Sequence, residues 1–384
     1  MDRAVVSGRG EARWRRGHPW IYRSDVVERP SCPAGAVRVE DAAGRVLGVG
    51  LWSPSSEISL RMLAREELTI GGDFWADRIG ESIGRRGGIE ASAYRAVHGE
   101  GDGLPSLVVD VLGGVVVVQL LSAGLEAYRG EVVEALLTHL SPGGILARND
   151  VRVRAREELP VEVELLWGEV PEEVEVEEGG IRYLAAPWRG QKTGVFLDQR
   201  ENRLLAGRLA RGRALDAFCY HGSFAVHMAP GADEVVALDS SGEALDRAAK
   251  NVALNGYDNV QTLEANAFDQ LRAFEAAGSR FDVIVLDPPA FAKHRATVGR
   301  ALAGYKEINL RAMRLLEPGG HLLTFSCSYH VAPGAFMDML VSAAADSGRT
   351  MRLVSPLTQA GDHPVILQVP ETGYLKGALL RALD

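Results

Sequence analysis

Three side chains able to do chemistry stand where apolar, strand-like runs end. Cys327 lies in "FSCSYH", just where "HLLTFS" gives out, Asp287 follows the apolar run of "VIVLDPPAF", and Asp239 closes "EVVALDSS". A thiol between two hydroxyls at a strand's carboxyl end is either a small buried hydrophobe or a nucleophile held toward a ligand. The two prolines behind Asp287 remove two N–H donors and restrict the backbone, so this carboxylate is presented rigidly. Asp239 suits a ribose, whose two hydroxyls can donate to one carboxylate; it could equally N-cap the next helix, as could Ser240 or Ser241. Upstream, "DAFCYHGSF" offers a single turn glycine, Gly222, where backbone can pass close to a ligand, but lacks the full GxGxxG spacing of dinucleotide sites. In "TLEANAF", Asn266 and Ala267 could meet an adenine edge with a side-chain amide and a backbone N–H.

These positions need a scaffold, and the chain from about residue 181 supplies its pattern. "RALDAFCY", "EVVALDSS", "FDVIVLDPP" and "GGHLLTFSCS" alternate with helical segments such as "EALDRAAKNVALN" and "ALAGYKEINLRAMRLL", with "GGHLLTFSCS" closing the series. Apolar strands alternating with amphipathic helices predict a mostly parallel sheet covered on both faces, with ligands beyond the strands' carboxyl ends. Residues 69–180 read as an α+β unit: a helix at "DFWADRIGESIGRR", two strands around a Gly-Gly turn in "SLVVDVLGGVVVVQLL", a helix at "AYRGEVVEALLTHL" and a strand at "GGILARND". The segment "EELPVEVELLWGEVPEEVEVEEGG" holds ten glutamates and reads as half-exposed strands that repel polyanions. Residues 1–68 read as a small β domain with tight turns.

With 384 residues the chain exceeds a single core and points to two or three domains. The net charge of −9 argues against coating nucleic acid by bulk charge, yet Met1–Arg29 carries seven arginines against four acidic residues. Three widely spaced cysteines, with no CxxC or Cys/His cluster, support neither disulfides nor a metal site. No apolar run reaches membrane-spanning length and the N-terminus lacks a signal-peptide core, so a cytoplasmic protein is expected.

Taken together, the glycine turn, the acidic strand end, "DPPAF" and "SCS" resemble the class I S-adenosylmethionine-dependent methyltransferases. More narrowly the chain is similar to the bacterial enzymes that form 5-methylcytosine in large-subunit ribosomal RNA and carry an N-terminal PUA domain. The likeness runs through "RGHPWIYRSDV", "HGEGDGLPSLVVD" and "GQKTGVFLDQRENR". It implies an α/β, Rossmann-like methyltransferase domain (181–384) preceded by a small PUA β-barrel (1–68) and a central α+β domain (69–180). It further implies S-adenosylmethionine held by Gln199, Arg200, Phe218, Gly222, Asp239, Asn266 and Ala267, with Asp287 between cofactor and target base and Cys327 as nucleophile. Ribosomal RNA, naked 23S or within assembly intermediates, is the implied partner, and the likeness leaves room for a homodimer.

A cysteine fits this chemistry because cytosine C5 is a poor nucleophile until a thiolate adds at C6. Better-known two-cysteine enzymes place a second cysteine directly after Pro-Pro. Here Ala290 stands there, so the base that releases the adduct is open between water, His294 and His330. Cys219, between Phe218 and Tyr220, reads as a pocket wall, and Cys32 has no nearby partner in sequence. RNA binding falls to Arg13, Arg15, Arg16 and Trp20, with Trp14 and Tyr22 as further aromatics. Two rivals compete: an N-methyltransferase acting on a purine, disfavoured because Ala290 takes the aromatic position and Phe291 comes one place late, and a non-catalytic RNA-binding assembly factor.

Overall fold

The computed structural model describes residues 1–292 and 294–384. Two compact units form: Met1–Val176 with Ala185–Leu197 and Gly361–Gly373, and Glu177–Leu184 with Asp198–Ala360 and Tyr374–Asp384.

In the first unit a six-stranded sheet, built between Arg3 and Ala64, closes over Val6, Trp14, Ile21, Val37, Leu60 and Met62. One of its elements departs from the expected all-β reading: Gly8–Arg15 is an α-helix. Ser7 caps it by accepting the Gly10 N–H, and Glu11 pairs with Arg15 one turn on at 2.6 Å. The same unit holds a five-stranded sheet, with strands Leu107–Leu112 and Val115–Leu120 joined through Gly113 and Gly114. Helices Gly72–Gly84 and Arg129–Leu140 bury Trp75, Ile79, Val132 and Leu136 in its core.

The second unit is a seven-stranded sheet. Its strands are β1 (Arg213–Ala217), β2 (Glu234–Asp239), β3 (Val260–Glu264), β4 (Phe281–Leu286), β5 (Leu316–Ser326), β6 (Met351–Thr358) and β7 (Lys376–Ala382). They lie in the order β3-β2-β1-β4-β5-β7-β6. The first five run parallel, and β7 is antiparallel to both β5 and β6. The series therefore does not close at β5 as the alternation suggested; two further strands follow, and the last one in the chain pairs directly with β5. The helices are α1 (Arg200–Leu209), α2 (Ser223–Met228), α3 (Gly242–Leu254), α4 (Ala267–Ala276), α5 (Val298–Leu315) and α6 (Pro333–Ser347). One core packs α4, α5 and α6 on the sheet through Leu271, Tyr305, Ile308 and Phe336; another packs α1, α2 and α3 through Ala206, Phe224, Met228 and Leu245.

Strand order reverses between β1 and β4. Strands on one side wind outward through β2 and β3, those on the other through β5, and their carboxyl ends diverge above this switch point, leaving the crevice where α/β sheets take ligands. No helix among the described residues is long and apolar enough to cross a membrane.

Candidate active site

The turn after β1 departs furthest from relaxed backbone. Phe218, Tyr220 and Gly222 take φ of 65°, 50° and 74°. Glycine accepts this conformation readily, whereas the two aromatics are held there at a cost of about 1 kcal/mol or more each. What holds them is visible: the Cys219 N–H donates to Leu238 O at 3.0 Å and the Tyr220 N–H to Asp239 Oδ2 at 2.9 Å. Asp239 also accepts the Ser241 N–H on Oδ1 at 3.0 Å. The N-cap of α3 is Ser241, whose hydroxyl takes the Ala244 N–H. Asp239 is thus not the helix cap but the link between the strand end and the strained turn, and it is half-exposed.

Asn266 caps α4, accepting the Phe268 N–H on Oδ1 at 2.9 Å, and Ala267 opens that helix. Asn266 is exposed and Ala267 buried. Gln199 and Arg200, at the start of α1, are 2% and 5% exposed. Gln199 Oε1 accepts from Asn202 at 2.6 Å, and its Nε2 is buried with no hydrogen-bond acceptor among the described residues. A buried amide donor left over in a protein interior calls for an acceptor from outside the chain, a water or a ligand. Together with the glycine turn, where a Cβ on Gly222 would come within 2.9 Å of Ala248 Cβ, these residues fit an aminoacyl-nucleoside cofactor.

Asp216, inside β1, is fully buried; its Oδ2 accepts the Ala225 N–H at 2.9 Å and its Oδ1 has no partner among the described residues. Burial, then the charges of Asp287 and Asp239, push its carboxyl up to about 8. Sequence reading missed this neutral acid; a lone aspartate in the apolar run "RALDAF" was its only mark.

On the other side of the switch point, β4 and β5 run side by side with Leu286 opposite Thr324, so Asp287 and Cys327 leave the sheet at the same edge. The Asp287 N–H reaches back to Ala217 O at 3.4 Å. Ser328 ties the two exits together: its hydroxyl takes the Ala292 N–H at 3.1 Å and meets the Tyr305 hydroxyl at 2.9 Å. Phe291 packs on Tyr305 with ring centroids 4.6 Å apart and lies 5.8 Å from Phe268. Cys327 is half-buried, whereas Cys219 is buried with Sγ directed to Tyr220 O, and burial pushes its thiol well up. His294 and His330 are exposed.

Of the residues expected to meet RNA, Arg13 lies with its guanidinium 4.5 Å from the Tyr22 ring centroid, and Arg15 and Arg16 are exposed at the end of helix Gly8–Arg15. Trp20 is half-buried and donates Nε1–H to Glu100 at 2.8 Å. Trp14 is not an open stacking platform: it is 9% exposed, with its indole N–H on Leu47 O at 2.8 Å. The glutamate-rich segment also needs correction at two positions. Glu157 is 3% exposed, its Oε1 accepting from Arg61 at 2.9 Å and its Oε2 from the Ala123 N–H at 3.1 Å. Glu178 is 1% exposed and gripped by Arg203 through both carboxylate oxygens at 2.8 and 2.5 Å, with the Tyr183 hydroxyl at 3.0 Å.

Comparison with known proteins identifies the family. The S-adenosylmethionine-dependent methyltransferase family matches residues 94–381, and the PUA-like domain matches residues 5–65. A ribosomal RNA large subunit methyltransferase I of Shewanella amazonensis is 42% identical over 95% of this chain and 96% of its own length. Its namesake from Aeromonas hydrophila is 40% identical, covering 98% of both chains. A solved structure from Streptococcus mutans, assigned as a SAM-dependent methyltransferase, superposes with a TM-score of 0.82 at 20% identity, covering 99% of this chain and 100% of that one. Another solved methyltransferase, crystallised with SAH, gives 0.84 at 20% identity. With its PUA-like start, its switch-point crevice and this likeness along nearly its whole length, the chain belongs to the ribosomal RNA large subunit methyltransferase I family of S-adenosylmethionine-dependent enzymes.

Proposed function

We propose that this methyltransferase forms 5-methylcytosine in 23S ribosomal RNA, with Cys327 as nucleophile and Asp287 as its acid partner. The observation that carries the reading is the shared exit of Asp287 and Cys327 from neighbouring parallel strands, beside the crevice of a methyltransferase sheet. Cofactor binding falls to Gln199, Arg200, Phe218, Gly222, Asp239, Asn266 and Ala267, with Asp239 accepting from the ribose hydroxyls and Gln199 Nε2 donating at the aminoacyl end. S-adenosylmethionine, when bound, supplies an electrophilic methyl group on a sulfonium.

The Cys327 thiolate adds to C6 of the cytosine. The new S–C6 bond moves electron density onto C5, making it nucleophilic, and onto N3, where Asp287 holds a proton and offsets the charge. After C5 is methylated its proton leaves to a base, the S–C6 bond breaks, and thiolate and aromatic ring are restored. With His294 and His330 both exposed, solvent water takes the role of that base in this reading.

RNA is held by Arg13, Arg15, Arg16 and Trp20 of the PUA-like region. A base within a helix cannot reach the site, so the target is single-stranded or flipped out, which favours naked or partly assembled rRNA in the cytoplasm. By likeness to the family two copies could act together, which sedimentation of the protein alone would decide. The test is to incubate enzyme, labelled S-adenosylmethionine and unmethylated 23S rRNA, then digest the RNA and identify the labelled nucleoside by mass. Label in 5-methylcytosine that is lost with Cys327→Ala is expected. Label in a methylated purine, or activity that survives Cys327→Ala, would overturn the assignment.

A further inference from the structure

Strand β7 brings a lysine to the nucleophile's loop. Lys376, its first residue, stands opposite Ser326, the last residue of β5, in antiparallel register. Its side chain is half-buried, and Nζ donates to Ser328 O at 2.6 Å and to Val331 O at 2.9 Å. Those carbonyls belong to the turn that leads from Cys327 into α6, a turn closed on itself by the Val331 N–H to Ser328 O bond at 3.1 Å and anchored by Val331, which is 1% exposed. An ammonium has three donors, and carbonyls can satisfy two of them without neutralising its charge.

A cation taken partly out of water is costly unless an anion faces it. Several ionisable groups surround this loop. Tyr305 of α5 holds Ser328 by its hydroxyl, and Asp287 ends the neighbouring β4. Tyr374, just before β7, gives its hydroxyl to Asp198 at 2.7 Å. Tyr329 and His330 lie exposed in the loop itself. Cys327 is the group whose charge acts on Lys376: burial draws the lysine's proton affinity down, and a Cys327 thiolate draws it back up.

We propose that Lys376 is the positioning residue of the nucleophile, clamping the Ser328–Val331 turn through its two carbonyls and supplying the positive charge that favours Cys327 as thiolate. The inference rests on reading Cys327 as the nucleophile. It gives a reason for the lysine that opens a strand running on as "GALLRA".

The experiment is the pH profile of Cys327 alkylation by iodoacetamide, read by peptide mass so that Cys32 and Cys219 do not interfere, in the wild type, Lys376→Gln and Lys376→Arg. Glutamine keeps a donor for the carbonyls and removes the charge. Its midpoint should move to higher pH, with labelling at neutral pH slowed about three- to tenfold, while arginine stays near the wild type. An unmoved profile in Lys376→Gln, or an equal shift in Lys376→Arg, overturns the proposal. Should Lys376→Gln not fold, the reciprocal variant decides: in Cys327→Ala the Lys376 amine should become reactive toward acetic anhydride at lower pH, and an unchanged profile overturns the coupling. Alkylation requires neither RNA nor methyl transfer. A shifted profile without 5-methylcytosine would therefore refute the function and leave this inference, whereas 5-methylcytosine with an unmoved profile would do the reverse.

Discussion

Replacing Asp216 by asparagine should make the protein more stable at slightly alkaline pH than at acid pH, relative to the wild type. The buried carboxyl titrates at about 8 in the fold against 3.8 for an ordinary aspartate, chiefly because burial penalises its charged form. Between those values the folded protein keeps a proton that the unfolded chain has released. Stability from this group is therefore complete below the unfolded value and is lost as pH rises toward the folded one, by about 1.4 kcal/mol per pH unit. From about pH 5.5 to about pH 7.5 the loss is roughly 2.5 kcal/mol. Asparagine does not titrate, and its carboxamide oxygen can still take the Ala225 N–H now held by Oδ2. His98 and His221, which burial draws down to about 3, run the other way: neutral in the fold, they add stability as pH rises toward the ordinary histidine value. They are common to both proteins and cancel in the difference. Thermal unfolding followed by circular dichroism, without cofactor, at a series of pH values should show Asp216→Asn gaining on the wild type by about 5 to 10 °C across this range. A difference that stays constant with pH would mean that Asp216 is ionised throughout, refuting the neutral-acid reading.

Gly222→Ala adds a Cβ at φ +74°, 2.9 Å from Ala248 Cβ. It should cost about 1–2 kcal/mol in unfolding and weaken S-adenosylmethionine binding measured by calorimetry. Arg203→Met leaves the Glu178 carboxylate buried with its bidentate partner gone; a loss of about 3–5 kcal/mol in denaturant unfolding is expected, and a loss below about 1 kcal/mol would show that Tyr183 and His227, whose Nε2 lies 3.1 Å from Glu178 Oε1, can hold that charge.

Much of the second unit is legible in its periodicities. Apolar runs and helical segments alternate from β1 to β5, and the residues singled out at their carboxyl ends, Asp239, Asp287 and Cys327, do lie at strand ends. That signal is local, which is why it fails where pairing is not. Strand β7 inserts antiparallel beside β5 from far along the chain, and nothing in "YLKGALL" announces which strand it will join, so Lys376 stays invisible as a neighbour of Cys327. Asp216 and Glu178 are hidden for another reason: identical carboxylates in strand-like runs can face water or core, and only the packed partners separate the two. The helix Gly8–Arg15 was obscured by its glycines and arginines, its signature being the Ser7 cap and one ion pair rather than an apolar stripe.

The order β5-β7-β6 means that the sheet cannot be assembled in the order in which its strands are synthesised. Strand β6 precedes β7 in the chain, yet among the described residues pairs with no strand but β7, so it must wait as an unpaired ribbon, with Leu353 and Val354 still 47% and 49% exposed in the finished fold. Docking β7 satisfies β6 and β5 in one event and clamps the turn after Cys327 through Lys376 at the same moment. Completion of the second unit's sheet is thus a late, non-local step, the kind that slows folding and leaves sticky edges open. A newly made chain would acquire the crevice between β1 and β4 before the turn after Cys327 is fixed.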